Sequence, residues 1–454
     1  MIPSRKIIVI GGNAAGPAAA AKAKRIDPSA EVILIEASEF ISTGSCELPY
    51  VLSGEIESIN QIIFFTPDTF WEEKKVKVLT KHTVEKIDRR KKSVNVKNLE
   101  TTQYYELFYD KLILATGSIP NKLEHLDYSS LNVFSFKTIA DLISVQNYIK
   151  ENKSKVVTII GAGYIGIELV ETFSKLGLDV VLIEKEKEIL PEFELEISKI
   201  CKQILASSNV RIFTSIDNLH FFYDKNRVSK FKVDGRLIET DIVITALGFL
   251  PNNKLAVESA LEIGKSGGVK VNSKLQTSDS NIFAVGDLIE VVNKISNRSM
   301  SLKLASIAKA TGQISGENAV GGNKYFSGVI KNISIRVFDT YVTSVGMSTA
   351  DLRNERFNYN TVYAENQSIM KVMPGSRKNF GLLHYDRETK RILGACFIGG
   401  KEVSGYSDLI SIMIDNKIPV TQLYELSYNY TPSLSPLNNL LYYLGNAANK
   451  KSLK

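Results

Sequence analysis

At 454 residues with 44% apolar content the chain can bury more than one sizeable core, and its length suggests about three domains. The net charge of +7 is spread without a long basic block, which points to a solvated lysine-rich surface or a small polyanionic ligand and away from nucleic acid. Cys46, Cys201 and Cys396 form no Cys-x-x-Cys pair and the scattered histidines make no zinc spacing, so neither a disulfide scaffold nor metal catalysis is expected, and the compartment is a reducing one.

Arg5-Lys6 and the apolar run after them superficially resemble a secretory leader, but Gly11, Gly12 and Asn13 break the run. No run of about 18 or more apolar residues follows anywhere. The expectation is a soluble cytoplasmic protein with no membrane partner. Ile7–Gly16 reads instead as a buried strand entering a glycine turn, with Gly11, Gly12 and Gly16 in place and Asn13 at the middle glycine position. Such glycines allow a tight turn and close approach of the backbone to a pyrophosphate, whose charge the helix start favours. The next strand, Glu31–Glu36, ends in a carboxylate able to accept hydrogen bonds from a ribose diol.

Cys46 follows among Ser42, Thr43, Gly44, Ser45, Pro49 and Tyr50, a small polar setting with a helix start, suited to a stabilised thiolate. By contrast Cys201, on the helical pattern Ile197–Leu205, and Cys396, in the strand-like Ile392–Ile398, read as apolar fillers. Tyr109–Pro120 is an apolar strand ending in Ala115-Thr116-Gly117. Val156–Gly166 then writes the turn a second time, with Gly161, Gly163 and Gly166, and Val180–Glu184 supplies a second carboxylate. Two turns in the context of strand and helix mean two dinucleotides. Asp241–Pro251 repeats the shape of Tyr109–Pro120, and Asn281–Asp287 is a strand ending in a carboxylate. After a break at Gly321-Gly322, the β-branched and aromatic stretch Val329–Tyr385 and a helical Asp408–Ile418 read as a separate α+β domain.

In this order of first turn, Cys46 segment, Ala-Thr-Gly strand, second turn and Gly-Asp strand, the chain resembles the FAD- and pyridine-nucleotide-dependent disulfide oxidoreductases over nearly its whole length. Ser42–Tyr50 looks like the single-cysteine branch, which contains coenzyme A disulfide reductases, NADH oxidases, NADH peroxidases and persulfide reductases. Where glutathione and lipoamide reductases carry a second cysteine, this chain has Val51. The resemblance implies an α/β fold with two Rossmann-like dinucleotide-binding domains and a C-terminal α+β dimerisation domain. FAD would occupy 1–120 and 246–322, NADH or NADPH 121–245, and 323–454 would form a homodimer. The flavin contacts implied are Gly11, Gly12, Gly16, Glu36, Thr116, Gly117 and Asp287; those for the nicotinamide dinucleotide are Gly161, Gly163, Gly166 and Glu184, with Tyr164 as an aromatic gate over the flavin. Hydride would pass to the flavin and electrons on to Cys46. Glu184 would repel a 2′-phosphate, with Lys185 and Lys187 partly offsetting it, so NADH is expected over NADPH.

Within the branch, peroxidases and many oxidases carry a histidine in the first turn where this chain has Ala14. The coenzyme A reductases carry a C-terminal tyrosine motif that reaches the partner subunit's flavin and cysteine. Its match is Tyr428–Pro436, with Tyr430 as the catalytic tyrosine, Tyr428 as the alternative, and Asn438 where the motif continues with lysine. The resemblance places substrate contacts at Lys22, Arg25, Ser42, Ser45 and Lys74, Ser45 replacing an asparagine. Glu47 replaces glycine or alanine; pointed at the sulfur it would raise the thiol pKa and repel anions. The expected activity is reduction of a small-molecule disulfide or persulfide, foremost coenzyme A disulfide. The rivals are an NADH oxidase or peroxidase cycling Cys46 through sulfenic acid, and a flavin-binding redox sensor without turnover.

Overall fold

The computed structural model describes residues 4–452; Met1–Pro3 and Leu453–Lys454, the ends of the first and last expected domains, lie outside the described residues. Two five-stranded sheets repeat one topology. The first runs Ile282–Ala284, Lys111–Leu114, Lys6–Ile10, Glu31–Ile35 and Lys77–Leu79, all parallel. The second runs Val133–Ser135, Ile242–Thr245, Val156–Ile160, Asp179–Ile183 and Arg211–Phe213, again all parallel. Their central strands are continuous Ile, Val and Leu runs because both faces are covered, so both sides of the pleat must be apolar. These are the two Rossmann-like units of an α/β fold.

Each unit also carries a three-stranded antiparallel meander, His82–Phe108 in the first and His220–Glu239 in the second. Their short strands carry no pattern that marks them in the sequence. The third unit is an antiparallel sheet ordered Asn332–Val337, Thr340–Gly346, Ile392–Gly399, Lys378–Asp386 and Tyr359–Gln367. Helices Val403–Asp415 and Leu440–Ser452 pack with it. The first of these lies earlier than the expected Asp408–Ile418: it begins after Gly399 and Gly400 and stops before Lys417, whose φ of +57° leaves the helical region, and Pro419.

One contact ties the two Rossmann-like units to each other and another closes the first unit on itself. Ser118–Pro120 and Phe249–Pro251, the exits of the two equivalent strands, pair antiparallel with each other. Helix Ala305–Ala319 returns to the first unit and lies on helix Ala15–Ile26, where a Cβ on Gly312 or Gly316 would run into the carbonyl of Ala15 or Ala19. Backbones approach this closely only through glycine. No described helix is long and apolar enough to cross a membrane.

The two kinds of helical glycine predict opposite responses to one substitution. Gly405 is exposed in helix Val403–Asp415 with open space where a Cβ would go, so Gly405→Ala should add about 0.5–1 kcal/mol of stability. Gly312→Ala should lose about 1–3 kcal/mol by overpacking. Chemical denaturation of both variants beside the parent checks the sign of each.

Candidate active site

The two glycine turns are built alike to the level of single atoms. Gly11 and Gly161 have φ of +111° and +105°, and a side chain on either would strike the carbonyl of Ala115 or Ala246. Gly16 and Gly166 lie against the carbonyls of Gly11 and Gly161. At the edge of each turn a carboxylate is fixed from two sides. Glu36 accepts from Gly12 N–H at 2.6 Å and Ser38 N–H at 2.8 Å, and Glu184 accepts from Ala162 N–H at 2.6 Å and Glu186 N–H at 2.8 Å. Each carboxylate is therefore oriented while keeping lone pairs for a ribose diol.

The turns differ at their middle position. Gly163 faces open space, so nothing in the protein requires glycine there, and the turn is left open on that side. In the first turn Asn13 uses that position to reach the cysteine loop: its amide donates to Ser45 Oγ at 2.8 Å, and its Oδ1 accepts from Thr43 Oγ1 at 3.3 Å. Ser42 N–H also donates to the Gly12 carbonyl at 2.7 Å, with Ser42 at φ +51°. The departure at Asn13 thus joins the first glycine turn to Thr43 and Ser45, beside the backbone bond from Ser42 to Gly12. Its signal was legible, its purpose was not.

Cys46 lies in the single turn Ser45–Glu47 that leads into the short helix Leu48–Leu52. The sulfur's residue opens to solvent on one side, and the side walled by protein pushes its pKa up, followed by the charges of Glu47, Glu168 and Asp287. This corrects the expected stabilised thiolate: the polar neighbours are present, but the charges bearing on Cys46 are all carboxylates. Cys201 and Cys396 are buried, as apolar fillers should be. Tyr164 opens helix Tyr164–Lys175 among the same groups; burial pushes its hydroxyl up to about 12, with Glu192, Asp287, Cys46 and Glu168 adding to the rise. Asp287, Cys46 and Tyr164 come from three separate stretches of sequence and here act on one another.

Asp287 accepts from Ser118 Oγ at 2.8 Å, and Ser118 is held in turn by Lys137, whose Nζ donates to its Oγ at 2.6 Å and to its carbonyl. Burial lowers the Lys137 pKa to about 8. Ser118 lies at the end of the Tyr109–Pro120 segment and Lys137 in no motif, and neither carries a local pattern that marks this chain of bonds. Thr116 Oγ1 donates to the Asn252 carbonyl at 2.8 Å, which ties the exits of the two units together, and Gly117 has φ +66° with open space beside it.

The expected substrate cations are not gathered at the sulfur. Lys22 is paired with Glu317 at 2.9 Å, and Lys74 with Glu73 at 3.0 Å, above the Phe65 ring. Arg25 is exposed at the end of helix Ala15–Ile26. A groove beside the cysteine turn is lined by Glu47, Glu57, Ile62 and Phe64. Behind the cysteine helix, Arg336 binds Glu55 at 2.7 Å and Glu171 at 2.8 Å and lies over the Tyr50 ring. That arginine bonding holds the Glu55 carboxyl at about 2. The two candidate tyrosines behave differently. Tyr428 donates its hydroxyl to the Leu423 carbonyl at 2.8 Å and packs inside the third unit, whereas Tyr430 is exposed.

Residues 5–312 match the family model described as pyridine nucleotide-disulphide oxidoreductase, and the chain belongs to that family. It is 29% identical over 449 residues to an NADH oxidase of Methanocaldococcus jannaschii, covering 98% of this chain and 99% of that protein. It is equally 29% identical to a coenzyme A disulfide reductase of Staphylococcus aureus, covering 97% and 99%. Among solved structures, the NAD-dependent persulfide reductase from A. fulgidus superposes with a TM-score of 0.95 at 28% identity, over 98% of this chain and 83% of that one. The chain is a flavin-dependent NAD(P)H oxidoreductase, with FAD and a nicotinamide dinucleotide as its cofactors.

The carboxylates around the sulfur predict its reactivity. In the purified flavoprotein the iodoacetamide labelling rate of Cys46 should reach half-maximum above the ordinary thiol range, and Glu47→Gln should move that midpoint down. A midpoint below the ordinary range in the parent would contradict the electrostatics described.

Proposed function

We propose that the protein uses NADH to reduce a sulfur–sulfur bond at Cys46, acting as a homodimeric flavoprotein of the coenzyme A disulfide reductase and persulfide reductase kind. The observation that carries this reading is the meeting of one exposed cysteine with Asp287 of the first unit and Tyr164 of the second. Val51 leaves Cys46 without an internal disulfide partner, so the incoming substrate supplies the second sulfur. FAD at Gly11, Gly12, Gly16, Glu36, Thr116, Gly117 and Asp287 supplies a two-electron carrier between NADH and sulfur. Glu36 and Glu184 orient the riboses, Gly163 leaves room for the second dinucleotide, and Asn13 holds Ser45, and with it the cysteine turn, against the first phosphate turn. Glu184 is the reason for preferring NADH.

Coenzyme A disulfide is the first substrate to test. A persulfide or a less charged disulfide has its own support, because Lys22 and Lys74 are already paired and Glu47 and Glu57 line the neighbouring groove. The divisions proposed at 120, 245 and 322 are supported by the pairing of Ser118–Pro120 with Phe249–Pro251 and by the turn at Gly321, whose φ is +102°. The third unit exposes Tyr430, Leu434 at 73% and Leu437 at 65% along one segment, an apolar surface that a second copy would cover while bringing Tyr430 to the partner's Cys46.

Rates of NADH consumption with coenzyme A disulfide, polysulfide, peroxide and oxygen separate the readings. Turnover with a disulfide or persulfide is expected; turnover only with oxygen or peroxide establishes an oxidase or peroxidase, and none at all a sensor. Cys46→Ser should retain FAD and its reduction by NADH while losing disulfide turnover by several orders of magnitude, since serine does not exchange with disulfides at neutral pH. Tyr430→Phe should slow disulfide turnover by about 100-fold or more if the phenol acts as general acid, leaving FAD content unchanged. An unaltered rate would make Tyr430 a packing residue of the interface.

A further inference from the structure

The helix that follows Cys46, Leu48–Leu52, is little more than one turn long and has no side-chain cap at its start, so its position depends on what grips it. Leu48, Val51 and Leu52 are buried, but apolar burial is non-directional and leaves tilt and register to other contacts. Those contacts are polar. Thr172 Oγ1, on helix Tyr164–Lys175, donates to the Pro49 carbonyl at 3.3 Å. Just beyond the cysteine helix, Ile56 N–H donates to the Tyr50 carbonyl at 3.0 Å and Ser53 Oγ to the Glu55 carboxylate at 3.2 Å, so the Glu55 turn moves with the helix. Glu55 accepts in turn from Lys175 at 2.8 Å and from Arg336 at 2.7 Å, and the Arg336 guanidinium lies 5.1 Å from the centre of the Tyr50 ring.

Arg336 reaches this place from strand Asn332–Val337 of the third unit. Its other partner is Glu171 of the second unit at 2.8 Å, a buried carboxylate that also holds Lys175 at 2.6 Å and accepts from the Phe338 N–H at 2.8 Å. Two carboxylates and two cations therefore balance, with Glu55 from the first unit, Glu171 and Lys175 from the second and Arg336 from the third. Without the guanidinium, Glu55 and the buried Glu171 would share one ammonium, and their repulsion would push the Glu55 turn, and the cysteine helix with it, off helix Tyr164–Lys175.

We propose that Arg336 is a positioning residue for Cys46: through Glu55 and Tyr50 it sets the cysteine helix against the second unit, so the third unit takes part in disulfide reduction within its own chain, apart from any contact with a second copy. This rests on the reading of Cys46 as the reducing thiol. Attack on a disulfide demands close alignment of the reacting sulfurs, and a displacement of about 1 Å can cost about 100-fold in rate. Reduction of the flavin by NADH is a separate step that does not need the thiol.

The test compares the FAD-loaded parent with Arg336→Met, Arg336→Lys and Glu55→Ala in flavin reduction by NADH, in steady-state disulfide reduction, and in hydrogen exchange of the Ser53, Gly54 and Ile56 amides, whose bonds close the end of the cysteine helix. Arg336→Met should lower disulfide kcat by about 100-fold and keep flavin reduction within about twofold of the parent. Exchange at the three amides should speed by about tenfold, while the Gly11 and Gly161 amides of the two glycine turns stay as protected as in the parent. Arg336→Lys keeps the charge without the fork and should regain about tenfold of the lost rate. Glu55→Ala leaves the Arg336–Glu171 pair intact, so it decides the matter even where Arg336→Met fails to fold; it should cost about tenfold in kcat, and little more when combined with Arg336→Met, because both break one link. A parent-like kcat in Arg336→Met or in Glu55→Ala overturns the proposal. So does an equal fall in flavin reduction and disulfide turnover, which makes Arg336 a residue of the fold alone. If the parent reduces no disulfide while exchange at the three amides still depends on Arg336, the functional reading fails and the clamp on the cysteine helix stands.

Discussion

A carbonyl oxygen occupies the place where a side chain on Gly16 would begin, and another does so at Gly166. Everything at the site follows from that constraint. Strand and helix can meet only with bare backbone between them, which leaves N–H groups at the turn, and one of these, Gly12 or Ala162, donates to Glu36 or Glu184, whose second donor is the N–H two residues further along its own segment. The geometry recurs in both units because the contact is between backbone atoms. Side chains elsewhere are free to differ, and Asn13 is the difference that matters, since it spends the spare room of the first turn on anchoring the cysteine loop.

The repeated turns, their carboxylates, the equivalent strands and the exceptional position of Cys46 were legible because each is a local pattern: a run of apolar residues, a glycine spacing, a polar island. The Ser118–Lys137 bonding to Asp287 and the Arg336 clamp were not. Those residues are ordinary on the chain and acquire meaning only when distant strands pair. The meanders His82–Phe108 and His220–Glu239 were missed for a related reason, because their short strands are half exposed and mix lysine, aspartate and asparagine with the apolar positions. The pairing of Lys22 was equally hidden, because Glu317, its partner, comes from a helix almost three hundred residues later.

The electrostatics of the sulfur separate two demands often met together. A nucleophilic cysteine is usually served by a neighbouring cation or a helix start. Here carboxylates from the cysteine turn, the second unit and the first unit surround it, and the cations Lys137, Lys175 and Arg336 are committed to Ser118, Glu55 and Glu171. Burial and carboxylates so placed disfavour the thiolate, and neutralising any one of those carboxylates eases its formation.

The ladder between Ser118–Pro120 and Phe249–Pro251 bears on how the second dinucleotide arrives. Strands that leave the two units in opposite directions and pair with each other act as a cross-brace: swinging one unit away from the other would shear backbone hydrogen bonds, and the Thr116 to Asn252 bond beside them. Rigid-body opening is therefore a costly route to the flavin. Local adjustment between the units falls instead to side chains at their junction, such as the Tyr164 ring at the start of helix Tyr164–Lys175.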